Sequence, residues 1–210
     1  RTVVYSPDVV RERSAAERAE RLERSRALAA LNALARAVDA KDHSTREHSE
    51  RVARLAGALA GRLGWAAGEQ GRLHEAALLH DVGKIGVPDL ILFKPGRPTP
   101  QEYAEIHRHA AVGAEIVAEA LAGDQVAWVR SHHERWDGAG YPDGLGGDDI
   151  PEGARIIALA DSWDAMTVAR PYGRPLERAE ARAEVERCSG TQFWPAGVRA
   201  LLALLDAGEI

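Results

Sequence analysis

Helix signals recur along most of the chain, and they constrain its fold more than any other feature. Residues 44–47 (STRE) and 99–102 (TPQE) match the capping box, in which the first and fourth side chains bond the start of a helix. The first box leads into an apolar face of Val52, Leu55 and Leu59, spaced as on one side of a helix. No segment alternates apolar and polar residues as a half-buried strand does. We therefore predict an all-α domain.

Apolar spacing, with glycine or proline at the expected ends, predicts the remaining helices. Residues 137–149 hold five glycines and a proline, too many for regular structure, so we expect a loop there. The predicted helices cover residues 68–82, 100–120, 124–133 (with Asp124 as the cap), 151–160 and onward, 175–188 and 195–205.

The chain opens with a charged stretch that differs from the rest. Residues 8–27 carry acidic and basic side chains at i,i+4 spacing, and an apolar stripe begins at Leu28. One interpretation is a solvated helix that docks its last turns on the domain; the other is a signalling or dimerising helix below an upstream sensory or receiver domain. We divide the chain into a linker or signalling helix, residues 1–27, and one folded domain, residues 28–210. Because Arg1 is not Met, we expect a longer parent protein.

Composition excludes some classes of function. The chain has 32 Asp and Glu against 27 Lys and Arg, a net charge of −5, whereas DNA- and RNA-binding surfaces are basic. The single cysteine, Cys188, excludes an internal disulfide framework and favours a reducing compartment. No apolar run reaches the roughly 18 residues of a membrane span, and no leader opens the chain. We expect a cytoplasmic location.

Histidines and aspartates lie on or beside the apolar faces of several predicted helices. His80-Asp81 taken alone has an equally good structural explanation, a C-terminal histidine stabilised by the helix dipole. The joint occurrence favours a metal centre, since imidazole and carboxylate together suit iron, manganese or zinc, and buried ionisable groups are costly unless they are paired or metal-bound. The residues so placed are His48, His80, Asp81, His109, His132, His133 and Asp161.

Helical position separates the remaining candidates. His109 shares an apolar stripe with Ile106 and Gly113, whereas His107 lies about 200° around the helix and is expected at the surface. Asp164, one turn after Asp161, is either a partner of a ligand or a hydrogen-bonded core residue.

Two long segments resemble a known family. Residues 80–84 (HDVGK) resemble the signature of HD-domain metal-dependent phosphohydrolases, and residues 132–142 (HHERWDGAGYP) resemble that of the HD-GYP subfamily. Shorter segments resemble the family in the same order: residues 94–96 (KPG), 161–167 (DSWDAMT) and 190–193 (GTQF).

The resemblance implies an HD-domain helical bundle with a Gly-rich GYP loop, here preceded by an N-terminal extension helix. It implies a centre of two or three metals, usually iron or manganese, that hydrolyses cyclic di-GMP to linear pGpG and, in some members, to GMP. The implied metal ligands are the seven residues named above, with Asp81 bridging two metals.

Other residues are assigned by the mechanism and by the resemblance. Lys84, beside Asp81, is expected to stabilise charge on phosphate oxygens. The alternative interpretation is that Lys84 is an ordinary solvated lysine just past the end of a helix. Arg135, Arg170 and Arg174 are expected to contact the dinucleotide, although surface arginines are common. Tyr141 either packs and orients the loop, which we favour, or faces substrate or a protein partner of the GYP loop.

Three positions depart from the family pattern. Ser44 stands where members with a third metal carry Glu, so we expect two metal ions, iron or manganese. Gly173 and Trp194 replace a basic and an acidic residue, and these changes concern the substrate more than the metal.

Two further classes of function compete with the phosphodiesterase. One is a catalytically weak cyclic-dinucleotide receptor or protein-interaction adaptor; the other is an HD hydrolase of another cyclic dinucleotide or nucleotide. A homodimer through the N-terminal helix is also expected.

Overall fold

A computed structural model of the protein describes residues 7–41, 48–168 and 174–210. These residues form α-helices joined by short turns, with two short 3₁₀ segments and no β-strand among them, as the sequence predicts. The helices are α1 (Pro7–Lys41), α2 (His48–Arg62), α3 (Ala67–Leu78), α4 (Asp89–Leu92), α5 (Pro100–Val117), α6 (Gly123–Arg130), α7 (Glu152–Thr167), α8 (Arg178–Arg187) and α9 (Pro195–Ala207).

Helix α2 lies at the centre of the bundle and packs against α3, α7 and α9. Its predicted apolar face is confirmed, because Val52, Ala56 and Leu59 are fully buried. The apolar residues of α7 pack into the same core, including Ile157 and Leu159. His48 and Asp161 are thereby fixed on two neighbouring helices of the core.

Helix α1 is continuous across the boundary proposed at residues 27 and 28. From Ala15 to Ala27 its described side chains are all exposed, whereas Ala35 and Val38 are buried. Its last turns contact α2 and the 3₁₀ segment Val82–Gly86. The capping box at residues 44–47 lies outside the described residues.

Two helices end earlier than predicted. Helix α3 stops at Leu78 rather than residue 82, and α6 stops at Arg130 rather than residue 133. The His80 Nδ1 atom lies 2.7 Å from the carbonyl oxygen of Ala77, just after the end of α3. The His132 Nδ1 atom lies 2.6 Å from the Val129 carbonyl oxygen, just after the end of α6. Both histidine motifs therefore lie in turns.

The remaining differences are local. Helix α6 has Ala122, not Asp124, as its N-cap, and the Asp124 carboxylate accepts a hydrogen bond from the next backbone N–H. The capping box of Thr99 and Glu102 is confirmed, with Pro100 in the first helical turn. The predicted loop at 137–149 contains one short 3₁₀ segment, Gly147–Asp149. No described helix combines the length and apolar character of a membrane span.

Candidate metal centre

Three histidines share one local geometry. The Nδ1 atoms of His80, His109 and His132 lie 2.7, 2.6 and 2.6 Å from the backbone carbonyl three residues earlier. A carbonyl only accepts hydrogen bonds, so each Nδ1 must carry the proton, which leaves each Nε2 with a free lone pair. His80 Nε2 is buried and has no hydrogen-bond partner among the described residues, as expected for an atom that faces a metal.

Asp81 stands between two sets of imidazoles. Its Oδ1 atom lies 3.3 Å from Nε2 of His109 and 3.9 Å from Nε2 of His132. Its Oδ2 atom lies 3.4 Å from Nε2 of His80 and 4.0 Å from Nε2 of His48. One carboxylate therefore presents a different oxygen to each set, the arrangement that a bridging ligand requires.

All seven sequence-predicted ligand positions converge at this place. Their ligand atoms form two groups, and within each group the atoms lie within 4.8 Å of one another. The groups are Asp81 with His109, His132 and His133, and His48 with His80 and Asp161. Five imidazoles and two carboxylates, without a thiolate, fit first-row divalent metals such as iron or manganese.

The electrostatics fit a cation as well. Burial raises the pKa of the Asp81 carboxyl, but Lys84 and the surrounding imidazoles outweigh burial and hold that pKa well below its usual range. Burial and neighbouring imidazoles lower the pKa of His132, and they lower the pKa of His133 to about 3. These imidazoles are therefore neutral at physiological pH, the form that binds metal.

His48 is oriented by a charged pair behind it. Its Nδ1 atom lies 2.7 Å from Asp164 Oδ2, while its Nε2 atom lies 3.3 Å from Asp161 Oδ1. Burial lowers the pKa of His48, but the bonds with the two aspartates outweigh burial and raise it to about 10. Arg51 holds Asp164 with bonds of 2.5 and 3.0 Å. Asp164 thus partners a ligand, one of the two roles predicted for it, whereas sequence reasoning missed Arg51.

The predicted catalytic lysine lies at the cluster. Lys84 Nζ is 2.7 Å from Asp81 Oδ2, and its side chain is only 19% exposed. It follows the close contact of Gly83 with α5, where an added Cβ would lie 2.0 Å from the His109 carbonyl oxygen. The turn that contains Asp81 and Lys84 is thus packed against α5, the helix that contains His109.

The expected substrate-binding arginines lie in different surroundings. Arg135 borders a cavity of about 50 Å³ that is also lined by His133 and Asp161, and its guanidinium bonds Asp137 at 3.0 and 2.6 Å. The Arg174 side chain is 74% exposed and lies 3.6 Å from Glu180. Arg170, like Ser44 and Gly173, lies outside the described residues.

Tyr141 lies between two imidazoles. Its ring stacks on His107 with centroids 3.7 Å apart and planes 9° apart, and on His133 at 4.7 Å and 28°. His107 is half-buried and therefore more exposed than the buried His109, as predicted, although Tyr141 of the glycine-rich loop stacks on its ring. Tyr141 packs and orients, as favoured from the sequence.

Glu134, which sequence reasoning did not single out, fixes the glycine-rich loop. Its buried carboxylate accepts hydrogen bonds from the N–H groups of Asp143, Gly144 and Leu145, at 2.7, 3.1 and 3.1 Å. Three backbone N–H groups aimed at one buried carboxylate define the path of the loop beside the metal ligands.

The Trp194 departure has a packing role. The Arg155 guanidinium lies 5.3 Å from the ring centroids of both Trp136 and Trp194, a cation–π contact on two sides. Trp194, at the start of α9, therefore contacts Arg155 of α7. The same arginine contacts Trp136 of the motif at residues 132–142.

The HD-domain family model matches residues 32–196, most of the chain and all seven candidate ligands. The chain belongs to the HD-domain family. The family recognition made from residues 80–84 and 132–142 is confirmed.

Similar proteins include cyclic dinucleotide phosphodiesterases. A cyclic di-GMP phosphodiesterase of Thermotoga maritima is 42% identical over 169 residues, which are 78% of this chain and 45% of that protein. The cyclic di-GMP phosphodiesterase response regulator RpfG of Xanthomonas campestris is 41% identical over 80% of this chain and 45% of its own length. A 3'3'-cGAMP-specific phosphodiesterase of Vibrio cholerae is 41% identical over 82% of this chain and 34% of its own. The chain thus spans less than half the length of these relatives.

Solved structures share the fold. A cyclic GMP-AMP-specific phosphodiesterase of V. cholerae superposes with a TM-score of 0.69 at 20% identity, over 85% of this chain and 48% of the other. The HD domain of the Listeria monocytogenes phosphodiesterase PgpH gives 0.56 at 18% identity, over 86% of this chain and 99% of the other. These likenesses support the all-α HD fold.

Proposed function

We propose that the chain is a metal-dependent phosphodiesterase that hydrolyses cyclic di-GMP to pGpG. The observation that carries the proposal is the convergence of seven nitrogen and oxygen ligands in two groups around Asp81. The cyclic di-GMP phosphodiesterases that are about 40% identical to this chain support the choice of substrate.

We propose two ions, iron or manganese, with Asp81 shared between the two groups. When bound, such ions supply Lewis acidity toward a phosphate oxygen and lower the pKa of a shared water. The protein orients the centre through the Nδ1 hydrogen bonds of its histidines and through Asp164 behind His48.

Lys84 supplies the protein's own positive charge beside the phosphate. Its ammonium group lies next to Asp81, where it can bond a non-bridging phosphate oxygen and stabilise the charge that develops in hydrolysis. Arg135, Arg170 and Arg174 remain predicted contacts of the dinucleotide, since guanidinium suits phosphate and guanine edges.

The test of the proposal is metal content and turnover measured together. The full chain is purified without oxygen, its bound iron and manganese are counted, and cyclic di-GMP, pGpG and GMP are followed by chromatography. We expect two metals per chain and pGpG as product. His80→Ala and Asp81→Ala should lose metal and turnover together. A chain with two bound metals and no turnover would make it a cyclic-dinucleotide receptor instead.

A second substrate is favoured by the relatives themselves. Two 3'3'-cGAMP-specific phosphodiesterases of V. cholerae are 41% and 44% identical to this chain, as similar as the cyclic di-GMP enzymes. The same assay run with 3'3'-cGAMP measures the ratio of kcat/KM for the two dinucleotides. Faster hydrolysis of 3'3'-cGAMP would replace cyclic di-GMP as the assigned substrate.

We further propose that residues 1–27 form a signalling helix, which links the catalytic domain to an upstream sensory or receiver domain and supports a homodimer. The proposed site of action is the cytoplasm. The GYP loop remains a candidate surface for a protein partner.

A further inference from the structure

The proposed ligand histidines are not all held in the same way. The Nδ1 atoms of four of them are tied by a hydrogen bond of 2.6 to 2.7 Å to a carbonyl or carboxylate oxygen. His133 differs, because its Nδ1 has no hydrogen bond to any residue in the described part of the chain. Its Nε2 atom nevertheless lies 3.1 Å from Nε2 of His109, within the first ligand group. Because the Nε2 atoms of both rings are the proposed metal-binding atoms, a contact that does not use Nδ1 must orient the His133 ring.

The flat face of Tyr141 provides that contact, and the backbone fixes its place. The Tyr141 N–H donates to the His133 carbonyl at 3.3 Å. Gly140 lies so close to the preceding motif that an added Cβ would be 2.4 Å from the Arg135 nitrogen. The Tyr141 ring is therefore pressed against the His133 ring, at 4.7 Å between centroids.

His107 closes the other side of the stack. Its ring covers the second face of Tyr141 almost in parallel, at 3.7 Å and 9°, from the helix that also carries His109. Without this ring, Tyr141 could tilt away from His133, because only its face toward His133 would then be packed. The three rings form one stack that runs from α5 to the metal centre.

We propose that His107 is a positioning residue, whose ring acts through Tyr141 to fix the His133 imidazole that no Nδ1 hydrogen bond orients. The proposal rests on the metal centre proposed above but not on the identity of its substrate. We expect His107 to affect metal binding at the group of Asp81, His109, His132 and His133. Metal binding at the group of His48, His80 and Asp161 should be unchanged.

The test compares His107→Phe with His107→Leu. Both variants keep an apolar side chain of substantial size on α5, but only phenylalanine keeps a flat ring for Tyr141. The full chain is loaded with Co²⁺, and release into excess chelator is followed by the visible absorption of bound Co²⁺. A His48→Ala chain identifies which phase of release belongs to which group.

We expect His107→Leu to release Co²⁺ from one group about 3- to 10-fold faster than the wild type, as the loss of an aromatic contact behind a ligand predicts. The other phase should be unchanged, and His107→Phe should restore the wild-type rate. The matched control is His74→Leu, since His74 is also half-buried but has no ring contact among the described residues.

Equal release rates for the phenylalanine and leucine variants, or equal acceleration of both phases, would overturn the proposal. Helical circular dichroism of each loaded chain is recorded first, and His107→Met replaces a leucine variant that does not fold. A wild type that binds Co²⁺ in two phases but hydrolyses no cyclic dinucleotide would refute the proposed function and leave this test intact.

Discussion

Asp164 fixes a proposed metal ligand from behind. It lies between His48 and Arg51, so its two oxygens satisfy an imidazole and a guanidinium at once. Asp164→Asn keeps the shape but turns one of these oxygens into an N–H donor that faces another donor. We expect metal affinity at the group of His48 to fall about 10-fold.

Competition with a fluorescent chelator measures that affinity. Asp206→Asn is the matched control, since Asp206 also pairs with an arginine, Arg182, but at the surface. Equal metal affinity in the two variants would show that Asp164 is a packing residue of α7 and does not orient His48.

Lys84 has a different role from the ligands that surround it. Its charge is the main factor that lowers the pKa of Asp81, yet as an ammonium group it cannot bind metal itself. We expect Lys84→Ala to keep both metals and to lower kcat by about 10²-fold, the typical loss of a group that stabilises transition-state charge. Metal counting and single-turnover hydrolysis check this. Unchanged kcat would leave Lys84 as a structural partner of Asp81.

Sequence motifs predict the ligands but not the residues that hold them. The seven candidates stand in or near short motifs, and each lies on or beside a predicted apolar helix face. Arg51 and Asp164 are 113 positions apart, and no local pattern links them. The contact of His107 was missed for a similar reason, because helical spacing places it opposite His109 but does not show that Tyr141 of a distant loop stacks on it.

At the scale of elements, the contact between the 3₁₀ segment and α5 determines whether the two ligand groups meet. Gly83 lies so close to α5 that an added Cβ would be 2.0 Å from the His109 carbonyl oxygen and 2.4 Å from the Gly113 nitrogen. Both obstacles are backbone atoms, which cannot turn aside as a flexible side chain can. Gly83→Ala must therefore move the turn that carries Asp81 away from α5.

We expect Gly83→Ala to destabilise the fold by about 1–3 kcal/mol and to reduce bound metal, since Asp81 would no longer reach His109. Urea unfolding and metal counting measure the two effects. Gly57→Ala is the control, because an added Cβ there meets nothing within 4 Å and alanine favours the helix interior. Full metal content in Gly83→Ala would show that the close approach is not needed for the centre.

Sequence patterns predict the positions of the helices more accurately than their ends. Apolar spacing places the helices correctly, but it runs on through His80 and His133 because those side chains are buried too. Both helices end in turns at these histidines, but the ring-to-carbonyl contact does not by itself end a helix, because His109 makes the same contact within α5, which continues to Val117. The capping box of Thr99 and Glu102 predicted its boundary correctly, since that signal lies in the cap itself.

At the scale of the whole molecule, α1 joins an exposed segment to a buried one. The described side chains before Leu28 are exposed, while Ala35 and Val38 are buried in the bundle beside α2 and the 3₁₀ segment. The same helix therefore touches the elements that carry His48 and Lys84. Within the described residues, a change in the exposed part of α1 would therefore reach the proposed catalytic domain through these last turns.

A chain of residues 28–210 should accordingly fold and bind metal as the full chain does. Because surface segments contribute little, we expect its thermal midpoint to change by less than about 2 °C. A chain that begins at Asp39 loses the buried Val38 as well, worth about 1.5–3 kcal/mol, and should unfold several degrees lower. Light scattering of both shortened chains measures the proposed dimer. A monomeric 28–210 chain with full metal content would assign self-association to residues 1–27. A dimeric 28–210 chain would assign it to the domain.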